Sequence, residues 1–121
     1  MVRALFDTNI LIDYLRGISL AREEFDRYSL KAISVVTWLE ILVGANARTE
    51  RETRDFLHGF DRIPVDHATA ERAVELRKAH RLKLPDAIIW ASAQVHAMLL
   101  VTRDTKGFPT TEPGVRVPYV I

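Results

Sequence analysis

The sequence predicts an α/β domain built on a parallel sheet that helices cover on both faces. Its strand-like segments are short apolar runs without polar alternation, the pattern of strands buried on both sides. Segments of helical period separate those runs. The length, 121 residues with 48% hydrophobic and 27% charged, suits one compact domain, expected to span residues 1–121 without repeat or linker.

The elements follow in order. Val2 to Phe6 reads as a short buried strand, and Ile10, Leu11, Tyr14 and Leu15 then fall at helical spacing until Gly17 stops them. Ser19 to Ser29 is amphipathic, with Leu20, Glu24 and Phe25 marking a second helix, and Ala32 to Val36 reads as the next strand. From Thr37 the period changes: Trp38, Ile41, Leu42 and Ala45 form an apolar helical stripe, with Glu40 off it. Thr49-Glu50-Arg51-Glu52 has the form of a capping box opening a surface helix that ends near Gly59. Arg62 to Val65 is a weak strand, and His67 to Arg81 a helix with Ala70, Ala73, Val74 and Leu76 inward. Pro85 suits the first turn of another helix, whose buried face continues through Ile88, Ala91, Ser92 and Val95. Met98 to Val101 is the next strand, Thr102 to Gly114 a loop, and Val115 to Val120 a last short strand.

Composition narrows the function. Seventeen Lys and Arg against 16 Asp and Glu give a net charge of +1, so any charged partner must be met by a local patch. The lack of cysteine excludes thiol chemistry and thiolate metal sites and fits a reducing compartment. No run approaches the ~18–20 apolar residues of a membrane span, and no signal peptide is legible, so a cytoplasmic protein without a membrane partner is expected. His58, His67, His80 and His96 are scattered without metal-ligand spacing. Trp38 and Trp90 sit on apolar stripes and read as core or dimer surface.

The acids carry the chemistry. Asp7 interrupts an apolar segment at the end of the first strand, Glu40 lies in the expected first turn of the helix after the second, Asp86 opens the helix before the strand MLLV, and Asp104 follows that strand. In an open α/β sheet the carboxyl ends of the strands gather at one edge, where ligands bind. Four carboxylates meeting there cannot all stay ionised without cations. A cup of hard oxygen ligands suits Mg²⁺ or Mn²⁺, and two such ions ~3.5–4 Å apart serve in-line displacement at phosphorus. Each acid also has a plain reading: Asp7 and Asp86 as helix-start residues, Glu40 as an acid favoured by the helix dipole, Asp104 as a turn residue. Gly44, one turn above Glu40, leaves room beside it for something bulky.

The stretches FDTNILIDYL, ISVVTWLEILVGA, LPDAIIWASA and LLVTRDTKGF, in this order and at this total length, resemble the PIN-domain ribonucleases, in particular the VapC-type toxins of bacterial and archaeal toxin–antitoxin pairs. The resemblance implies a sheet of about five strands in 3-2-1-4-5 order between helices, and an acidic metal pocket of Asp7, Glu40, Asp86 and Asp104. It further implies RNA cleavage with Mg²⁺ or Mn²⁺, a homodimer, and a small cognate antitoxin that blocks the pocket. Thr8, Asn9 and Thr102 match residues that orient the carboxylates from behind. Asp104 stands where many relatives have Asn, and Gly107 where many have a further acid. The fourth ligand and the number of ions therefore stay open.

Phosphate contacts supply much of the affinity for RNA. Lys83, Arg103 and Lys106 flank the acids and are the candidates, with Arg77, Lys78 and Arg81 completing the densest basic stretch. Three other readings compete with a metal-dependent endoribonuclease toxin. An aspartate after strand one can be a phosphoryl-accepting nucleophile, as in haloacid-dehalogenase-like phosphatases. That chemistry wants a second acid two residues on, where this chain has Asn9. A housekeeping RNA-processing nuclease, or a non-catalytic RNA- or partner-binding module, would keep the fold without the toxin role.

Overall fold

The computed structural model describes residues 3–121; Val2, expected to begin the first strand, lies outside the described residues. Five strands, β1 (Arg3–Phe6), β2 (Leu30–Ser34), β3 (Asp61–Ile63), β4 (Leu99–Val101) and β5 (Val115–Arg116), form one sheet in the order β3-β2-β1-β4-β5. Each of the four pairings is parallel, with Leu5 opposite Ala32 on one side and Leu100 on the other. Six helices complete the described chain: α1 (Thr8–Leu15), α2 (Ser19–Phe25), α3 (Val35–Val43), α4 (Glu50–Leu57), α5 (His67–His80) and α6 (Leu84–Val95).

Two cores sandwich the sheet, and β1 feeds both because successive side chains of a strand point to opposite faces. Leu5 joins Ala73, Leu76, Trp90 and Phe108 beneath α5 and α6, whereas Ala4 and Phe6 join Ile10, Phe25, Ile41, Leu57 and Phe60 on the other side. Phe6 has no exposed surface and meets Phe25, Tyr28 and Phe60 edge-to-face with ring centroids 4.9, 5.6 and 6.1 Å away. Each such aromatic contributes roughly 1.5–3 kcal/mol by burial and about 0.5–1.5 more by ring geometry. Trp90 is core, as expected, while Trp38 is half-buried with the guanidiniums of Arg62 and Arg54 over its ring at 4.5 and 5.6 Å.

Several boundaries differ from the sequence reading, each for a local reason. Val35 and Val36 belong to α3 rather than to the second strand, because Ser34 ends the strand and its Oγ accepts the Val36 N–H at 3.1 Å. β3 ends at Ile63 since Pro64 has no N–H to give a sheet. Thr49 forms no side-chain cap on α4; Asn46 Oδ1 instead accepts the N–H groups of Arg48 and Thr49. On α5 the buried face is Thr69, Ala73 and Leu76, with Ala70 and Val74 exposed, and Val95 of α6 is exposed too. The last strand stops at Arg116, and α2 stops at Phe25 rather than near Ser29.

Helix α6 ends in a Schellman turn, in which the Met98 N–H donates to Ala93 O at 2.8 Å and the Ala97 N–H to Gln94 O at 3.2 Å. This puts Ala97 at φ 53°, in the left-handed region where a Cβ costs energy. Ala97→Gly is expected to raise stability by about 1 kcal/mol, allowing for the freedom glycine adds to the unfolded chain. Urea unfolding checks this; a destabilised variant would contradict it.

Candidate active site

Strand order reverses around β1, which pairs with β2 on one side and β4 on the other, so a crevice opens beyond its carboxyl end. Asp7 stands at that point. It is only 5% exposed, and it both caps α1 and faces the crevice. The Thr8 N–H donates to Asp7 Oδ1 at 2.7 Å, while the Thr102 hydroxyl and the Asn9 amide donate to Oδ2 at 2.7 and 3.2 Å. A carboxylate oxygen offers about two acceptor directions, so Oδ2 is filled and Oδ1 keeps one for another partner.

Burial pushes Asp7 up from its ordinary 3.8 to about 6; the donors from Thr102 and Thr8 oppose that rise, and the charges of Asp86 and Asp104 add to it. Asp86 is also raised, first by desolvation and then by the nearness of Asp104 and Glu40. Hydrogen bonds link the acids pairwise although they come from separate segments: Thr8 reaches both Asp7 and Glu40, and Thr102 both Asp7 and the backbone of Asp104, while Asp86 and Asp104 border one cleft.

Supporting groups fix Asp7, Glu40 and Asp104. Thr8 donates its hydroxyl to Glu40 Oε1 at 2.6 Å, so its 3.0 Å contact with the hydroxyl of buried Thr37 leaves Thr37 as donor. Thr102 Oγ1, besides donating to Asp7, accepts the Asp104 N–H at 3.0 Å, which ties the β4–β5 loop to the end of β1. Asp104 Oδ1 accepts the N–H groups of Lys106 and Gly107 at 3.0 and 2.8 Å. Gly107 is needed there: a Cβ would collide with Asp104 Oδ2 and come within 3.3 Å of Asp86 Oδ2.

A cleft of about 330 Å³ runs past Asp86 and Asp104 and is bordered by Arg81, Lys83 and Lys106, all exposed. Arg77 and Lys78 are exposed at the end of α5. Arg103 is placed differently from the expectation of a phosphate contact: its Nε and Nη2 donate to Asp13 Oδ2 and Oδ1 at 2.7 and 2.9 Å. The correction has a physical reason, since Asp13 is 1% exposed and a buried carboxylate must be paired. On the other side of Glu40 lies a groove of about 470 Å³ lined by Ile12, Leu15, Arg16, Ile41 and Gly44. A Cβ on Gly44 would touch only backbone oxygens at 3.6 and 3.7 Å, so the groove does not depend on that glycine.

Sequence reading missed Thr37, Asp13 and Tyr119, whose hydroxyl donates to Asp13 Oδ2 at 2.8 Å. Asp13 carried the one available signal, an acid inside the apolar helix NILIDYL. Among the described residues, no three acidic or imidazole side chains converge closely enough to hold an ion unaided. The donor set nevertheless fits Mg²⁺ or Mn²⁺, which take one or two carboxylates and complete their shells with water and substrate phosphate. Asp7, bonded only by neutral donors, and Asp86, whose carboxyl stays raised despite the charge of Lys83, both have room for a cation beside them.

A parallel sheet in this order, with acids at the reversal of strand order, is the architecture of the PIN-like nucleases. The PIN domain family matches residues 4–112, and the chain belongs to that family. It is 31% identical over 125 residues to Ribonuclease VapC10 of Mycobacterium tuberculosis, covering 97% of this chain and 93% of the relative. A toxin–antitoxin complex from Klebsiella pneumoniae contains a chain 48% identical, with a TM-score of 0.92 over 98% of this chain and 99% of that one. In DNA-bound VapBC from Salmonella typhimurium the similar chain is 23% identical, with a TM-score of 0.73 over 96% of each, a likeness of fold alone.

Between pH ~4 and ~6 the folded protein, with Asp7 raised to about 6, binds more protons than the unfolded chain. The metal-free protein therefore loses stability as pH rises through that window. A two-unit shift represents about 3 kcal/mol, but an amide at position 7 would turn an N–H₂ toward Asn9. Asp7→Asn is expected to stabilise the metal-free protein by about 1–2 kcal/mol at pH 7.5, with little difference at pH 4. Urea unfolding at both pH values checks this, and no gain at pH 7.5 would refute it.

Proposed function

We propose that this protein is a Mg²⁺- or Mn²⁺-dependent endoribonuclease, a single PIN domain acting in the cytoplasm as the toxin of a toxin–antitoxin pair. The observation that carries this reading is the linked set of acids beyond the end of β1: Thr8 bonds both Asp7 and Glu40, Thr102 both Asp7 and Asp104, and Gly107 lies against Asp104 and Asp86. Kinship with Ribonuclease VapC10, and with a chain from a toxin–antitoxin complex, supports the activity and the partner.

Asp7, Glu40 and Asp86 would hold the divalent ions, with Asp104 as the fourth carboxylate. Bound ions of this kind supply counter-charge at the phosphate and a hydrolytic water. The protein's own part is orientation: Thr8, Asn9 and Thr102 fix the rotamers of Asp7 and Glu40 before RNA arrives. Lys83 and Lys106 border the cleft and would take the backbone phosphates on either side of the cut. Water attacks directly, with no covalent intermediate.

A small antitoxin would cover the groove beside Glu40, where Ile12 and Leu15 are 36% and 47% exposed. Apolar surface rimmed by polar groups marks such interfaces. No helix among the described residues is long and apolar enough to cross a membrane. Pairing into a homodimer belongs to the same reading.

Purified protein is expected to cleave RNA with Mg²⁺ and to stop when EDTA is added. Asp7→Asn, Glu40→Gln and Asp86→Asn should each slow cleavage by at least about a hundredfold, since each removes a few kcal/mol of charge stabilisation at the transition state. Rates equal to the parent protein in all three would end the assignment. Gly107→Ala should slow cleavage by roughly ten- to a hundredfold through displacement of Asp104, with the fold retained by circular dichroism. A fully active Gly107→Ala protein would show that Asp104 need not keep its place.

A further inference from the structure

Two buried carboxylates outside the crevice are held alike. Asp13 of α1 accepts a two-pronged donation from Arg103 and a third hydrogen bond from the Tyr119 hydroxyl, at 2.7, 2.9 and 2.8 Å. Glu24 of α2 accepts the same from Arg116 and the Tyr28 hydroxyl, at 2.7, 3.0 and 2.7 Å. Both acids are nearly without solvent, at 1% and 4% exposure. Stability alone does not explain such groups, because well-packed apolar residues commonly do as well or better than a buried ion pair. What differs is the attachment.

Arg116 lies in β5 and its side chain reaches none of the four acids, whereas Arg103 sits between Thr102 and Asp104. Its backbone N–H donates to Asn9 Oδ1 at 3.2 Å, and the Asn9 amide donates to Asp7. One residue thus reaches α1 twice, by side chain to Asp13 and by backbone to Asn9, while its neighbours hold Asp7 and face Asp86. Tyr119 joins the same carboxylate from the C-terminal segment, which carries no helix or strand after Arg116.

We propose that Arg103 and Tyr119 are positioning residues: through Asp13 they strap the loop 102–107 and the C-terminal segment to α1, and so keep Thr102 and Asp104 in register with Asp7. The catalytic half of this inference rests on the nuclease reading; the mechanical half does not. In it the C-terminal segment works as a distant support of the crevice. A planar, two-pronged guanidinium fixes both position and direction of the loop, which a lysine would not.

The second triad supplies a matched control. Tyr119→Phe and Tyr28→Phe each remove one hydroxyl from a buried carboxylate, so their losses of thermal stability should be similar. Amide hydrogen exchange of the metal-free protein then reads the loop directly at Lys106 and Gly107, whose N–H groups donate to Asp104. Tyr119→Phe is expected to speed exchange at both by several-fold, and Arg103→Lys by more, because it removes the two-pronged donation that orients the loop. Tyr28→Phe should leave both amides unchanged. In RNA cleavage, Tyr119→Phe and Arg103→Lys should lower kcat by similar factors with KM unchanged, since neither touches the substrate's phosphates. Exchange at Lys106 and Gly107 that is the same in Tyr119→Phe, Arg103→Lys and the parent protein would overturn the strap, even if RNA is cleaved. Exchange that changes as expected in a protein that cleaves no RNA would uphold the strap and sink the nuclease reading instead.

Discussion

The structure depends on one charge held where solvent cannot stabilise it. Asp7 sits at the carboxyl end of the central strand, and strand, helix and crevice all meet at its side chain. Desolvation pushes its pKa to about 6, and the groups that oppose this are hydroxyl, amide and backbone N–H donors rather than cations. The charges of Asp86 and Asp104 add to that rise. At Asp13 and Glu24 the chain instead sets an arginine against the buried acid.

That comparison sorts the buried acids by what neutralises them. Burial alone would lift Glu24, but the donation from Arg116, helped by Tyr28, outweighs it and leaves its carboxyl below the usual range. Tyr28 is in turn pushed up to about 12, by burial and then by the carboxylate it serves. Asp13 has the same kind of partners in Arg103 and Tyr119. These charges are settled inside the fold, so they make no demand on a ligand. Asp7 has no cationic partner of that kind: its bonds come from Thr8, Asn9 and Thr102, and its carboxyl stays raised.

How much of this could be read from the chain follows the same division. The acids of the crevice were legible because each breaks a pattern: Asp7 interrupts an apolar run, and Asp86 and Asp104 stand at the ends of elements that hydrophobic periodicity locates. The question of whether Asp7 is a helix cap or a piece of chemistry dissolves, since one oxygen takes the cap bond and leaves a lone pair to the crevice. Strand order was legible only through family resemblance, because no local pattern encodes which strands are neighbours. Arg103 shows the limit of reading charge by proximity. A basic residue beside an acidic pocket suggests a phosphate contact, and only three-dimensional pairing with Asp13, 90 positions away, gives it another task. Ala70 and Val74 failed for a related reason: α5 packs on α6 through a narrow face that small residues alone do not define.

Long-range pairings of this kind also explain why so small a sheet can hold a site. β3 has three residues and β5 two, too few for backbone bonds alone to fix the loops that follow them. The chain compensates with side-chain links that span most of its length: Thr102 to Asp7, Arg103 to Asp13, Arg116 to Glu24 and Tyr119 to Asp13. Each joins the last quarter of the chain to its first, and each has a charged or hydroxyl group that must be satisfied on burial. Closing the chain on itself in this way costs loop entropy, but that cost grows slowly with separation. The directional bonds then hold the buried carboxylates to one geometry more firmly than apolar packing would, because each fixes an angle as well as a distance.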